Sequence, residues 1–179
     1  YELRYPGRIL SSLFDSLSVL FVFLISRYTF NNKVALLAAF LTCFSVIHIQ
    51  LSHFFAVDTF STTFVLATIY YSLKTTYEGG RKNSLLTGVM FGFALTTKFS
   101  VMPLIVPVII SHIIFQFSKT NSDRLIINFN RIQIWNLLKN LFLFASTCLL
   151  ILIIFQPYMF IDLYTYINTI STQGDMVRR

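Results

Sequence analysis

The chain has 179 residues, of which 55% are hydrophobic and 12% are charged, and its net charge is +7. A soluble domain carries about 25% charged residues, so the composition excludes an ordinary water-soluble domain and indicates a helical membrane protein. Cys43 and Cys148 both lie inside apolar runs. They predict neither a disulfide framework nor a zinc site.

Successive apolar runs predict about six membrane-embedded helices. A run of about 20 residues is long enough to cross a hydrocarbon core of roughly 30 Å. The fold class is therefore all-α, a polytopic transmembrane helical bundle. The predicted spans are Ile9–Tyr28, Val34–Phe55, a span from Asp58 to Leu73, Ser84–Thr97, a span that follows Pro103 and Pro107 and ends near Phe117, and Leu141–Phe155.

The segment Ser118–Asn140 is polar and basic, with a weak amphipathic pattern around Leu125–Leu138. The pattern fits either an interfacial helix or a cytoplasmic loop.

Lysines and arginines near the span ends predict the orientation, because cytoplasmic loops carry an excess of both. If the first span runs from outside to inside, nine of these residues lie inside and five lie outside. The inside set is Arg27, Lys33, Lys74, Arg81, Lys82, Lys119, Arg124, Arg131 and Lys139, and the outside set is Arg4, Arg8, Lys98, Arg178 and Arg179. Residues 1–8, the His53–Asp58 segment, Lys98 and the Gln156–Asp162 segment then share the extracytoplasmic face.

The segment from His48 to Asp58 places two imidazoles and a carboxylate between two apolar runs. Asp58, followed by Thr59, fits a helix N-cap with a purely structural role. It also fits an acid at the rim of a cavity for a polar ligand. Metal binding by His48 and His53 is disfavoured, because positions i and i+5 are rotated by about 140° on a helix. His53 can bond a ligand or orient a neighbour, whereas His48 fits a buried, hydrogen-bonded histidine.

Lys98 follows a short apolar run and precedes Pro103. A lysine at a span end often reaches toward the interface, but the end of a short helix can also place its cation against an anionic head group. Arg8 follows Pro6 and Gly7 and can act similarly. Paired cations suit a phosphate or pyrophosphate on a lipid carrier.

Asp15 lies inside the first span. An intramembrane acid there is either functional, or protonated, or in contact with a watery cavity.

Three segments, in chain order, resemble parts of polytopic GT-C glycosyltransferases, the relatives of protein O-mannosyltransferases and lipid A aminoarabinose transferases. Gly7–Val19 resembles their GR-x-L-S-A-L opening. His48–Thr59 resembles their S-P-x-H-I-x-x-S-x-x-A-x-x-D segment, and Leu86–Ser100 resembles L-x-G-x-x-x-G-L-A-x-x-T-K-x-S/G. The chain departs from the family's pattern at Ser45-Val46, where the family has Ser-Pro, and at Asp15, where the family mostly has a small or neutral residue.

The resemblance implies an inverting hexosyl- or pentosyltransferase that uses a polyprenyl-phosphate-linked sugar and a protein, lipid or glycan acceptor. It implies that Asp58 matches an acidic position near the active cavity, Lys98 the lysine that contacts the donor phosphate, and Arg8 an arginine at the cavity edge. Together with the arguments from the residues, we expect Asp58 and His53 at the active-site rim and Lys98 and Arg8 at the donor phosphate. The catalytic base is expected upstream of Tyr1, in the first external loop. No cofactor is implied, and a divalent metal is possible but unsupported.

The chain begins at Tyr1 without a Met, so we expect an internal piece of a longer protein. Residues 1–179 are then part of one GT-C-like domain, whose first helix, first external loop and downstream region lie outside the chain. We expect a multi-pass protein of the plasma membrane in a prokaryote, or of the endoplasmic reticulum in a eukaryote, without a nucleic-acid partner. The alternative is a transporter or a noncatalytic membrane scaffold, because polar span ends and short helices also fit transport.

Overall fold

A computed structural model of the chain describes residues 4–52, 54–118, 131–162 and 164–169, together with Thr172. Every regular element in these ranges is a helix, which confirms the predicted all-α class. The helices are α1 (Arg4–Thr29), α2 (Asn32–Cys43), α3 (Val46–Ser52), α4 (Val57–Tyr77), α5 (Arg81–Thr97), a 3-10 helix (Phe99–Leu104), α6 (Ile105–Ser118), α7 (Arg131–Phe155) and α8 (Tyr158–Ile161).

The outer surface of the bundle is apolar. Large side chains such as Leu36, Phe142 and Ile154 are exposed on α2 and α7, and a surface of this kind is stable against lipid rather than water. Among the described residues, three stretches are long and apolar enough to cross a membrane: Tyr5–Thr29, Phe99–Gln116 and Arg131–Phe155. The protein is therefore a helical membrane protein.

The predicted second span, Val34–Phe55, is not one helix. It is divided into α2 and α3, and the chain breaks between them at Phe44 and Ser45. Helix α2 begins at Asn32 because the Asn31 side chain accepts a 2.9 Å hydrogen bond from the Val34 N–H, as an N-cap does. Hydropathy stays high across the break, so an apolar run alone does not reveal it.

The predicted sixth span is longer than its apolar run. Helix α7 starts at Arg131, so the second part of the amphipathic segment Leu125–Leu138 continues into the membrane helix and is not a separate interfacial helix. Residues 119–130 lie outside the described part of the chain. The Lys139 Nζ lies 5.3 Å from the Trp135 ring centre, a pair that suits a membrane interface.

Helix α5 is the centre of the bundle, because it packs on both α4 and α7. Gly88 and Gly92 lie one turn apart on its α7 side. A Cβ added to Gly88 would lie 2.5 Å from the Phe144 carbonyl oxygen, and one added to Gly92 would lie 2.8 Å from the Ile151 Cβ. Small residues at this spacing let helix backbones approach closely in membranes. The adjoining buried cluster contains Phe91, Leu95, Val108, Phe144 and Cys148.

The turn between α4 and α5 marks one end of the bundle. Gly79 and Gly80 have φ of 63° and 92°, a conformation that glycine adopts without strain. The two glycines therefore let the chain reverse between the C-cap of α4, Glu78, and the first residue of α5, Arg81. The Tyr28 hydroxyl, near the end of α1, donates a 3.0 Å hydrogen bond to the Glu78 Oε1, so the end of α1 lies beside this turn.

His112 has a structural role in the core. It is only 2% exposed. Its Nδ1 lies 2.8 Å from the Val108 carbonyl oxygen, and its Nε2 lies 3.0 Å from the Ser84 Oγ. Both ring nitrogens are thus hydrogen-bonded, as a buried histidine requires.

Candidate functional site

Four predicted polar segments meet at the end of the bundle opposite the α4–α5 turn. A Cβ on Gly7 would lie 3.1 Å from the Phe55 ring, so the start of α1 lies beside the α3–α4 connection. The Gln156 Nε2 donates a 3.5 Å hydrogen bond to the Thr96 carbonyl oxygen, which joins the end of α7 to the end of α5. We call this region, which also contains Asp58 and Lys98, the Lys98 end of the bundle.

Asp58 does not cap α4, and the N-cap prediction is wrong. The helix begins at Val57, and its N-cap is Ala56, whose side chain makes no cap bond. Asp58 is therefore in the first helical turn, where a carboxylate is favoured by the helix dipole. Its Oδ1 accepts a 2.8 Å hydrogen bond from the Lys98 Nζ.

Lys98 is positioned by the end of α5. Its backbone is extended, with φ −155° and ψ 114°, and the 3-10 helix begins at the next residue. The side chains of Lys98 and Asp58 are 53% and 57% exposed. An exposed ion pair contributes only about 0–1 kcal/mol to stability. The pair therefore does little to hold the fold, and its charges remain accessible to a ligand.

Arg8 belongs to the same end of the bundle, because it follows Gly7 on α1. Its side chain is half-buried. Arg8 takes part in none of the three ion pairs found among the described residues, which are His48–Asp15, Lys74–Glu78 and Lys98–Asp58. His53, the other predicted rim residue, lies outside the described residues, so its position in the site stays a prediction.

Asp15 and His48, on two different helices, form a contact that the sequence does not predict. The Asp15 Oδ1 on α1 lies 2.5 Å from the His48 Nδ1 on α3. Their side chains are 17% and 25% exposed, so the pair is largely removed from the surface. The signal available in the sequence was the acid itself, since an acid inside a span requires a polar partner.

The chain after α7 returns to the Lys98 end. The Tyr166 ring lies edge-on to the Phe99 ring, with centres 6.1 Å apart. Asp162 precedes this segment, and its Oδ1 accepts a 3.1 Å hydrogen bond from the Thr165 N–H. This backbone hydrogen bond is the main reason that the pKa of the Asp162 carboxyl lies below its ordinary value.

The Lys98 end carries an accessible ammonium group beside a carboxylate. In the part of the chain that the structure describes, no group of three or more His, Cys, Asp and Glu is arranged to hold a metal ion. Lys98 supplies an ammonium with three N–H donors, and one of them is directed at Asp58. Its remaining donors suit phosphate oxygens.

The apolar surface, the membrane-length helices and the charged Lys98 end define an integral membrane protein with a polar site at one end of its helices. The sequence profile of the dolichyl-phosphate-mannose-protein mannosyltransferase family matches residues 3–161, and the chain belongs to that family. The predicted resemblance to mannosyltransferase relatives is thereby confirmed. No curated protein and no solved structure matches the chain. Membership implies a membrane glycosyltransferase of the mannosyltransferase type and a polyprenyl-phosphate sugar donor.

Proposed function

We propose that the chain is part of an enzyme that transfers a sugar from a polyprenyl-phosphate-linked donor to an acceptor at the extracytoplasmic face of the membrane. The ion pair between Asp58 and Lys98 carries the proposal. It provides an accessible cation at one end of a helical bundle, in a chain of the mannosyltransferase family. The acceptor is a protein, a lipid or a glycan.

Lys98 acts on the donor's phosphate. Transfer breaks the bond between the anomeric carbon and the phosphate oxygen, so negative charge builds up on the departing phosphate. The Lys98 ammonium donates to Asp58 and to a phosphate oxygen at the same time, because it carries three N–H groups. Asp58 thereby orients the ammonium, and Arg8 adds a second cation from α1.

The acceptor reacts from the other side of the sugar, which inverts the anomeric configuration. Its hydroxyl or amine gives its proton to a carboxylate that serves as general base. By the family resemblance, this base belongs to the external loop upstream of Tyr1. Asp58 and His53 then form the rim on which donor and acceptor meet.

The test is the Lys98→Ala substitution in the full-length protein, purified in detergent micelles and supplied with polyprenyl-phosphate sugars and candidate acceptors. We expect a loss of sugar transfer of about 10²–10³-fold, the size typical of removing one donor to a developing negative charge. Expression and membrane insertion should stay normal. Lys98→Arg should retain part of the activity because it preserves the charge.

Lys74→Ala is the matched control, since Lys74 forms an ion pair with Glu78 at the other end of the bundle. Transfer at the wild-type rate by Lys98→Ala would rule out the phosphate role. The same assay distinguishes the enzyme from the transporter alternative. A transporter only moves its substrate between compartments, so it forms no glycosylated product in micelles.

A further inference from the structure

We propose that Asp15 and His48 form a positioning pair that fixes α3 against α1 and thereby holds both Arg8 and the segment leading to Asp58 in their working arrangement. The expected effect of this pair on sugar transfer rests on the proposed function. The expected effect on the attachment of α3 to α1 does not.

The pair lies two helical turns along α1 from Arg8, which belongs to the proposed phosphate site. Asp15 comes seven residues after Arg8, which is a rotation of about −20° and a rise of about 10 Å along a helix. Arg8 and Asp15 therefore lie on the same face of α1, two turns apart. A contact that fixes the Asp15 face of α1 fixes the direction of Arg8 as well.

The short length of α3 makes its contacts with the neighbouring helices important. It has seven residues, and a helix of that length is not stable in isolation. Val46 and Ile47 are each 67% exposed, so much of its apolar surface faces away from the bundle. His48 provides a hydrogen-bonded contact between α3 and α1. The Phe55 ring beside Gly7 provides a second contact, farther along the chain.

The position of α3 matters because the chain continues directly from it to the site. Residues 54–56 connect α3 to α4, and Asp58 follows in the first turn of α4. Phe54 and Phe55 are 63% and 66% exposed, so burial of their rings does little to fix this connection. Release of α3 from α1 would loosen the approach to Asp58 without removing any group that contacts the donor.

The experiment is a double-mutant cycle in the full-length protein, made of Asp15→Ala, His48→Ala and the double variant. Each is combined, in a background that lacks Cys43 and Cys148, with a Phe54→Cys reporter, which is labelled with a membrane-impermeant maleimide. We expect each single substitution to speed the labelling several-fold and to raise the KM for the donor more than it lowers kcat. The fall in kcat/KM should be about 10- to 100-fold, the scale of a small misplacement of reacting groups.

The double variant should be no worse than the single variants, because the two side chains act through one contact. Asp15→Asn keeps an oxygen that can accept from the His48 ring, so it should retain most of the wild-type behaviour and serves if Asp15→Ala misfolds. Ser16→Ala and Gln50→Ala are the matched controls, since they change exposed neighbours on the same two helices.

Additive effects of the two alanine substitutions, or wild-type labelling and kinetics in both, would overturn the positioning role. If the wild-type protein transfers no sugar, the labelling cycle still decides the inference, whereas the proposed function alone fails.

Discussion

Two lysine–carboxylate pairs occur in the described part of the chain, and they differ in what the sequence can predict. Lys74 and Glu78 are one turn apart on a helix, with nitrogen and oxygen 3.6 Å apart, so local geometry brings them together. Lys98 and Asp58 are 40 residues apart and only 2.8 Å from each other. The sequence identifies both as candidates because they interrupt apolar runs. Their contact depends on how α4 and α5 pack, which no local pattern encodes.

At the same scale, Asp162 provides a test that depends on pH. The pKa of its carboxyl is lowered by the Thr165 N–H, so the hydrogen bond from this N–H to the carboxylate is fully present above the ordinary carboxyl pKa of about 4. This hydrogen bond is lost as the pH falls through the lower pKa that the carboxyl has in the folded state. We expect exchange of the Thr165 amide hydrogen, measured by mass spectrometry, to gain protection with rising pH through this range.

The comparison for this prediction is Asp162→Asn, which keeps an acceptor oxygen but does not titrate. Protection in that variant should be independent of carboxyl protonation. The same pH profile in both proteins would show that the Asp162 carboxylate does not control the segment.

At the scale of the helices, hydropathy predicts which segments are apolar but not where the backbone bends. Transfer to lipid depends on the side chains, so Val34–Phe55 reads as one span although it contains the break at Ser45. The start of α7 is missed for the opposite reason. Charged and polar residues after Arg131 lower the hydropathy, yet the helix continues through them because its backbone hydrogen bonds do not depend on apolar side chains.

The contact between α5 and α7 predicts a strong effect of very small substitutions. Gly88→Ala should lower the free energy of unfolding of the full-length protein in detergent by roughly 1–3 kcal/mol, as overpacking of a core does. Its melting temperature should fall accordingly. The added methyl group would meet both the Thr147 hydroxyl and the Phe144 carbonyl oxygen. Ala145→Val is the control, because Ala145 is exposed on α7. Equal melting temperatures for the two variants would show that the close approach of α5 and α7 is dispensable.

At the scale of the whole molecule, the structure separates two polar ends. Asp58 and Lys98 lie at one end, and Tyr28 and Glu78 lie at the other. The sequence predicts this separation from the alternation of spans and predicts from its lysines and arginines which end faces outward. The geometry of the helices defines the ends without reference to a bilayer, so the side of the membrane stays a prediction.

Cysteine labelling in intact cells tests that orientation. In a cysteine-free background of the full-length protein, Asp58→Cys should react with an impermeant maleimide added from outside. Glu78→Cys should react only after the membrane is permeabilised. The reverse pattern would place the Lys98 end in the cytoplasm and remove the basis for transfer at the extracytoplasmic face.

Paired with Asp58, the Lys98 ammonium presents almost no net charge to distant solutes. Electrostatic attraction between such a pair and a free phosphate in water is weak beyond the Debye length of about 8 Å. A donor whose long hydrocarbon chain dissolves in the bilayer reaches the pair by diffusion in two dimensions, at a high local concentration. An enzyme built on this pair would therefore select lipid-borne sugar phosphates over water-soluble ones by the route of arrival, before any sugar hydroxyl is recognised.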